Sequence, residues 1–312
     1  MGKVMLLDGA SLWFRSFFAL PEKITAPDGR PVNAVRGFLD TIAALVNAHE
    51  PTRIVVCLDR NWRPDFRIAL IPSYKAHRVA DTGDGRAEEV PDALPPQVDM
   101  ILAVLQAAGI ETGGADDCEA DDVIGTLAVG ETHDEVLVVT GDRDLLQLVA
   151  DAPVPVRVLY VGRGLAKAEL MGPAQVADRY GLPVDRAGNA YAEMSILRGD
   201  PSDGLPGVKG IGDKTAAKLI TAYGSLDAVE EAAGTPESGI SPRIAGALEQ
   251  SAEYLRAART VVSVRTDARV EFSRGDQRLP AAPDDEAALS ALTGELGIDA
   301  SVGRLAAAFG WS

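Results

Sequence analysis

Nine acidic residues recur along the first two thirds of this 312-residue chain at places where a carboxylate can meet a ligand: Asp8, Asp59, Glu119, Asp121, Asp122, Asp142, Asp144, Asp200 and Asp203. If folding gathered them, they would repel one another. Two carboxylates about 4 Å apart cost roughly 4 kcal/mol at an effective dielectric of about 20, so the group must be protonated or must bind cations. An all-oxygen donor set without histidine or cysteine selects hard ions, Mg²⁺ or Mn²⁺, over zinc. Calcium is disfavoured because no twelve-residue EF-hand loop is present. Two such ions suit hydrolysis of a phosphodiester. The three histidines, His49, His77 and His133, lack a triad-like setting, and no side chain is a candidate nucleophile.

The elements that would position these carboxylates follow from the apolar runs. Val4 to Leu7, Ile54 to Leu58 and Val136 to Thr140 are β-branched-rich and lead into Asp8, Asp59 and Asp142, as buried parallel strands would. Helical patterns at Val35 to Ala48 and Val98 to Ala108 alternate with them, which defines an α/β fold with a parallel central sheet. Ligands of such sheets gather beyond the carboxyl ends of the strands, where all three aspartates fall. Glu119, Asp121 and Asp122 open an amphipathic helix, where simple capping would also explain acidic residues. Asp142 and Asp144 lie on a strand-to-helix turn, and Asp200 and Asp203 on a tight loop.

Two further stretches suit nucleic acid. GLPGVKGIGDKTAAKLI places Gly207, Lys209, Gly210 and Gly212 before a helix carrying Lys214, Thr215 and Lys218. Glycines let backbone N–H groups face a phosphate at a helix amino terminus. It is not a P-loop, because Asp213 stands where the last glycine is required. Residues 60 to 78 carry Arg60, Arg63, Arg67, Lys75 and Arg78 against Asp65 alone, interleaved with Trp62, Phe66 and Tyr74. Aromatics among basic residues suit base stacking beside phosphates, although such a run is equally a solvated face. These patches matter because the net charge is −16, which opposes long-range steering of a polyanion.

Composition excludes other classes. Hydrophobic residues make up 46% and charged residues 24%, as in ordinary globular domains. Two cysteines, Cys57 and Cys118, without CxxC spacing fit a reducing cytoplasm. The amino terminus lacks the pattern of a signal peptide, and no apolar run is long enough to span a bilayer. No internal repeat is evident; residues 81 to 96 and 234 to 242 are the soft stretches.

Taken in order, LLDGASLWFRSFFALP, NAVRGF, VCLDR, IPSYKAHR, CEADDVIGTLA, TGDRDLLQLV and LRGDPSDGLPGVKGIGDKTAAKL resemble the bacterial 5′ nuclease, or flap endonuclease, family over residues 3 to 265. That family includes the amino-terminal nuclease domain of bacterial repair DNA polymerases. The resemblance implies a PIN-like, Rossmann-like core over residues 1–172, with a helical arch at about 64–98. It implies a helix-three-turn-helix subdomain over 173–265 that binds duplex, and leaves 266–312 as a segment packing on the core. It further implies that all nine carboxylates hold two or three Mg²⁺ or Mn²⁺ ions and that K⁺ sits at the hairpin. Lys75 and Arg78 are expected at the scissile phosphate, with Arg15 and Tyr74 beside the substrate. The implied substrate is DNA with a 5′ flap, an end or a single-strand/double-strand junction, RNA–DNA hybrids included, cut by a monomer during Okazaki-fragment processing and repair. Departures are mild: Gly204-Leu205 where relatives often have Asn-Ile, and His77 for a common asparagine. The competing expectations are a PIN-type ribonuclease and a non-catalytic junction binder.

Overall fold

The apolar runs form the centre of one sheet. In the computed structural model, which describes residues 2–81 and 87–311, strands β1 (Lys3–Asp8), β2 (Arg53–Leu58), β3 (Thr112–Gly114), β4 (Glu135–Thr140), β5 (Val156–Tyr160), β6 (Glu169–Met171) and β7 (Glu271–Phe272) lie in the order β6-β5-β4-β1-β2-β3-β7. β1 pairs in parallel with both β2 and β4, with Leu7 opposite Val56 and Val139. The order reverses at β1, which puts Asp8 at the switch point, between the ends of β2 and β4.

The expected parallel sheet is parallel only in its five inner strands. Both edges are antiparallel: β6 returns from β5 as a hairpin, and β7 comes back from the carboxyl-terminal segment onto β3. The short return from β5 to β6 has no crossover helix to make it parallel.

Helices cover both faces. α1 (Gly9–Ala19), α2 (Asn33–His49), α3 (Asp65–Leu70), α4 (Pro95–Ala108) and α5 (Ala120–Gly130) belong to the core. α2 presents Val35, Phe38, Leu39, Ile42, Leu45 and Val46 inward at three- and four-residue spacing, all buried. α6 (Pro173–Tyr180), α7 (Ala187–Arg198), α8 (Asp213–Tyr223), α9 (Leu226–Ala233), α10 (Pro242–Gln250) and α11 (Ala252–Val262) form a helical subdomain. Finally α12 (Glu286–Leu296) and α13 (Asp299–Phe309) pack against α4 and α2.

Across about 64–98, where an arch is expected, helix is confined to α3, a single 3-10 turn at Ala76–Arg78 and the start of α4. Val79 and Glu88 instead bridge in antiparallel fashion, and residues 82–86 of that expected arch lie outside the described residues. No helix among the described residues is long and apolar enough to cross a membrane.

Candidate active site

Asp8 ends β1 and caps α1, accepting from the Ser11 N–H at 3.1 Å. The Thr140 hydroxyl at the end of β4 donates to its other oxygen at 2.6 Å and itself accepts from the Asp142 N–H at 2.9 Å. One threonine therefore fixes both strand-end aspartates. Asp59, just past β2, accepts from the Ala120 N–H at 2.7 Å, which ties that strand end to the start of α5. Arg15 of α1 donates to the carbonyls of Gly141 and Gly162 at 3.1 and 2.8 Å, pinning the loops after β4 and β5.

These groups line a cleft of about 780 Å³ that contains Asp8, Asp59, Glu119, Asp121 and Asp142, with Arg15, Lys75 and Arg78 on its walls. Asp142 and Asp144 also line an adjoining cleft with Asp200, Arg143 and Arg198. Asp203 is buried, with Arg78 at 2.9 Å. Seven of the nine candidate carboxylates thus line two adjoining acidic clefts that share Gly141 and Asp142, and Asp203 lines a small void with Glu119, Asp121 and Asp144. Among the described residues no three of them are closed round a single ion-sized point; they line the clefts rather than cage one position.

The electrostatics show how unwelcome this arrangement is without cations. Burial, with repulsion from Asp59 and Asp142, pushes the Asp8 carboxyl up to about 7. Burial also raises Glu119 to about 7, against the pull of Lys75 and Arg67. Asp121 stands well above the carboxylate range through burial and the charges of Asp8, Asp142 and Glu119, and Asp144 likewise through burial, Asp142, Asp203 and Asp200. The donors are all oxygens and mutually destabilising, which fits hard divalent cations. Asp8, Asp59, Glu119, Asp121 and Asp142 would hold them in the larger cleft, and Asp144, Asp200 and Asp203 at its edge.

Asp122 is the exception to the sequence expectation. It is fully buried and faces Arg67 rather than the cleft. Tyr74 also departs from expectation: it is 3% exposed and its hydroxyl donates to Glu119 at 3.0 Å, so its ring offers no surface for a base. The basic run at 60 to 78 is mostly consumed internally. Arg60 pairs with Asp116 and Glu271, Arg63 donates to the carbonyls of Pro72 and Tyr74, and Arg67 is enclosed. Lys75 and Arg78 do reach the cleft. Lys75 Nζ lies 3.0 Å from Glu119, and the residue takes a left-handed backbone (φ 48°) held by its N–H on the Asp203 carbonyl at 2.9 Å.

In the Gly-rich segment, Gly207 has φ 66° and its backbone lies so close to Arg198 and Gly199 that a Cβ would stand 2.4 Å from the Arg198 carbonyl oxygen. The turn is thereby folded back on the end of α7, against which α8 packs. Gly210 also has positive φ, and Gly212 caps α8. Lys209, Lys214 and Lys218 are exposed there, with Thr215 half-buried. Sequence reading missed three contributors: Thr140, hidden because it reads as the last strand residue; Glu88, a further carboxylate lining the cleft from a soft stretch; and Phe18, 70% exposed at its rim. A large apolar residue off the buried face of α1 was the available signal for Phe18.

A switch-point cluster of carboxylates on a mixed α/β sheet, backed by a helical subdomain, defines a nuclease of the 5′-end class. The resolvase-like amino-terminal domain of 5′-3′ exonucleases matches residues 3–181, and their carboxyl-terminal SAM fold matches 187–286. The chain belongs to the 5′-3′ exonuclease family. It is 57% identical over 305 residues to a 5′-3′ exonuclease of Mycobacterium tuberculosis, covering 97% of this chain and 96% of that one. DNA polymerase I of the same species matches at 43% over 226 residues, 72% of this chain but 23% of the polymerase. Among solved structures, a zinc-bound T5 5′-exonuclease superposes with a TM-score of 0.64 at 20% identity, covering 85% of this chain and 90% of that one. The catalytic core of Rad2 in complex with DNA substrate superposes with a TM-score of 0.57 at 16% identity, covering 98% and 92%. These two likenesses bear on the fold.

Proposed function

We propose that this nuclease hydrolyses DNA phosphodiesters at 5′ flaps, 5′ ends and single-strand/double-strand junctions, as a monomer dependent on Mg²⁺ or Mn²⁺. The carrying observation is the acidic cleft in which burial and mutual repulsion raise Asp8 and Glu119 to about 7 while Lys75 and Arg78 stand on its wall. Asp8, Asp59, Glu119, Asp121, Asp142, Asp144, Asp200 and Asp203 would hold two or three such ions, which when bound would supply Lewis-acid activation of water and neutralisation of charge developing on the phosphodiester.

The chain's own residues orient the substrate. Lys75 and Arg78 offset negative charge on the scissile phosphate, from positions fixed by Glu119 and Asp203. Tyr74 works beneath the surface, holding the Glu119 carboxylate by its hydroxyl. Arg15 keeps the Gly141 and Gly162 loops, and with them Asp142, at the cleft. The Gly207 to Gly212 turn and the exposed Lys209, Lys214 and Lys218, with Thr215, grip the duplex backbone, with K⁺ at the turn. Okazaki-fragment processing and repair in the cytoplasm are the settings that supply such substrates, RNA–DNA hybrids included.

Cleavage mapping on end-labelled flap, nicked and blunt DNA, with Mg²⁺ and with Mn²⁺, tests the reading. Short 5′ products released near the junction are expected; metal-independent cleavage, or a preference for single-stranded RNA, would refute it.

A further inference from the structure

Arg67 heads the largest side chains wholly enclosed by the protein, at 2% exposure. A cation of that size taken from water must be met by well-placed partners, or it destabilises the fold. Its guanidinium forks onto Asp122, with Nη1 and Nη2 each 2.7 Å from a carboxylate oxygen. Its Nε donates to the Val261 carbonyl at the end of α11, at 3.0 Å. The Phe66 ring lies 4.8 Å from the guanidinium carbon.

Asp122 is equally committed. Besides Arg67 it accepts from the Arg265 N–H at 2.9 Å and from the Glu119 N–H at 3.1 Å. An ionised carboxylate offers about four lone-pair positions. The two Arg67 donors and the two backbone N–H groups fill them, and no oxygen lone pair is left for a cation.

These contacts join three separate pieces of the molecule: α3, the start of α5, and residues 261 to 265, where the chain leaves the helical subdomain. The cleft lies directly beyond them. A void of about 20 Å³, room for about one water, is lined by Arg67 and Val261 together with Glu119, Asp121, Asp144 and Asp203. Glu119 is therefore set by two anchors, its own N–H on Asp122 and its carboxylate under Tyr74 and Lys75.

We infer that Arg67 and Asp122 are a positioning pair that sets the register of the helical subdomain against Glu119 and Lys75, and that Asp122 is not a metal ligand. The inference rests on the nuclease reading above for its activity assay, but not for its metal count. Breaking one partner leaves a buried charge unpaired, whereas neutralising both, with an amide at 122 that still accepts from a backbone N–H, removes that penalty.

The test compares wild type, Asp122→Asn, Arg67→Met, the double variant Arg67→Met/Asp122→Asn, and Asp121→Asn as a ligand control. Mn²⁺ alone is titrated by calorimetry, and kcat and KM are measured on a labelled 5′-flap DNA. Asp122→Asn should bind as many Mn²⁺ ions as wild type, with affinity lowered by the tenfold or so that a displaced Glu119 costs, while Asp121→Asn binds one ion fewer. On DNA, Asp122→Asn should lose tenfold or more in kcat with KM changed less than about threefold. The double variant should recover at least fivefold over the slower single one. Loss of an ion in Asp122→Asn, a change confined to KM, or a double variant no faster than the slower single one would each overturn the inference. If Asp122→Asn does not fold, Arg67→Lys, which keeps the charge but not the fork, gives the same readouts. A wild type that binds Mn²⁺ but cleaves no DNA would remove the proposed function and leave the Mn²⁺ count to judge Asp122.

Discussion

Replacing Asp8 by asparagine should make the metal-free protein more stable at pH 8 while abolishing cleavage. Asp8 is 5% exposed and its carboxyl is raised from 3.8 to about 7, by burial first and by Asp59 and Asp142 next. A carboxyl harder to ionise folded than unfolded favours the folded chain below about pH 4 and loses that advantage as the pH rises through about 7. The difference between those values corresponds to about 4 kcal/mol at pH 8. Asparagine caps α1 as well as aspartate does, but it disturbs the Thr140 hydroxyl bond, a loss of about 1 kcal/mol. A net gain of about 3 kcal/mol remains, equivalent to about 5 °C in a chain of this length. At pH 4.5 the ionisation term falls to about 1 kcal/mol and cancels against the Thr140 loss. The assay is thermal unfolding by circular dichroism in EDTA at pH 8 and pH 4.5, then in excess Mg²⁺ at pH 8. Mg²⁺ should raise the wild-type Tm more than that of Asp8→Asn. An Asp8→Asn protein that melts lower than wild type at pH 8 in EDTA would refute the view that the carboxylates are held together against their own repulsion.

Other outcomes follow from the same geometry. Lys75→Ala should cut kcat by roughly a hundredfold, the scale of one lost transition-state contact, while flap affinity by fluorescence anisotropy changes less than about threefold; equal losses in both would count against its catalytic role. Gly204→Ala should destabilise by about 2–4 kcal/mol, measured by urea unfolding, because φ is +71° and a Cβ would stand 2.0 Å from the Ser73 carbonyl oxygen. Lys214→Ala/Lys218→Ala should flatten the dependence of log K on log salt by about 0.9 for each phosphate contact removed, read from anisotropy at several KCl concentrations; an unchanged slope would place the duplex elsewhere.

Much of the fold was legible because buried parallel strands announce themselves as unbroken β-branched runs. β1, β2 and β4 were read from such runs, and α8 from Asp213 to Tyr223 was bounded by a glycine at each end. β3 was not legible: it is three residues, Thr-Gly-Gly, with no side-chain pattern, and becomes a strand only by pairing between β2 and β7. The antiparallel edges were hidden for a related reason, since direction depends on how the chain returns rather than on which residues it contains. In the site, residue type and position after a strand located the aspartates. Whether a carboxylate faces the cleft or an arginine was not readable: Asp121 and Asp122 are adjacent, identical in type, and point to opposite environments.

The basic residues carry the same lesson into the interface. A run of five cations against one acid in a chain of net charge −16 looks like a DNA-facing patch. Yet Arg60, Arg63 and Arg67 are spent on Asp116, Glu271, backbone carbonyls and Asp122. Only Lys75 and Arg78 of that run line the cleft, and both are already matched to Glu119 and Asp203. Their charge is thus counted against the carboxylates before DNA arrives. It becomes available to a phosphate only to the extent that cations relieve Glu119 and Asp203 of their need for it. Metal loading and phosphate seating should therefore be cooperative, whereas the exposed Lys209, Lys214 and Lys218 should bind backbone independently of divalent ions. Duplex affinity in EDTA would then be carried by the α8 end of the molecule, and the gain on adding Mg²⁺ by the cleft.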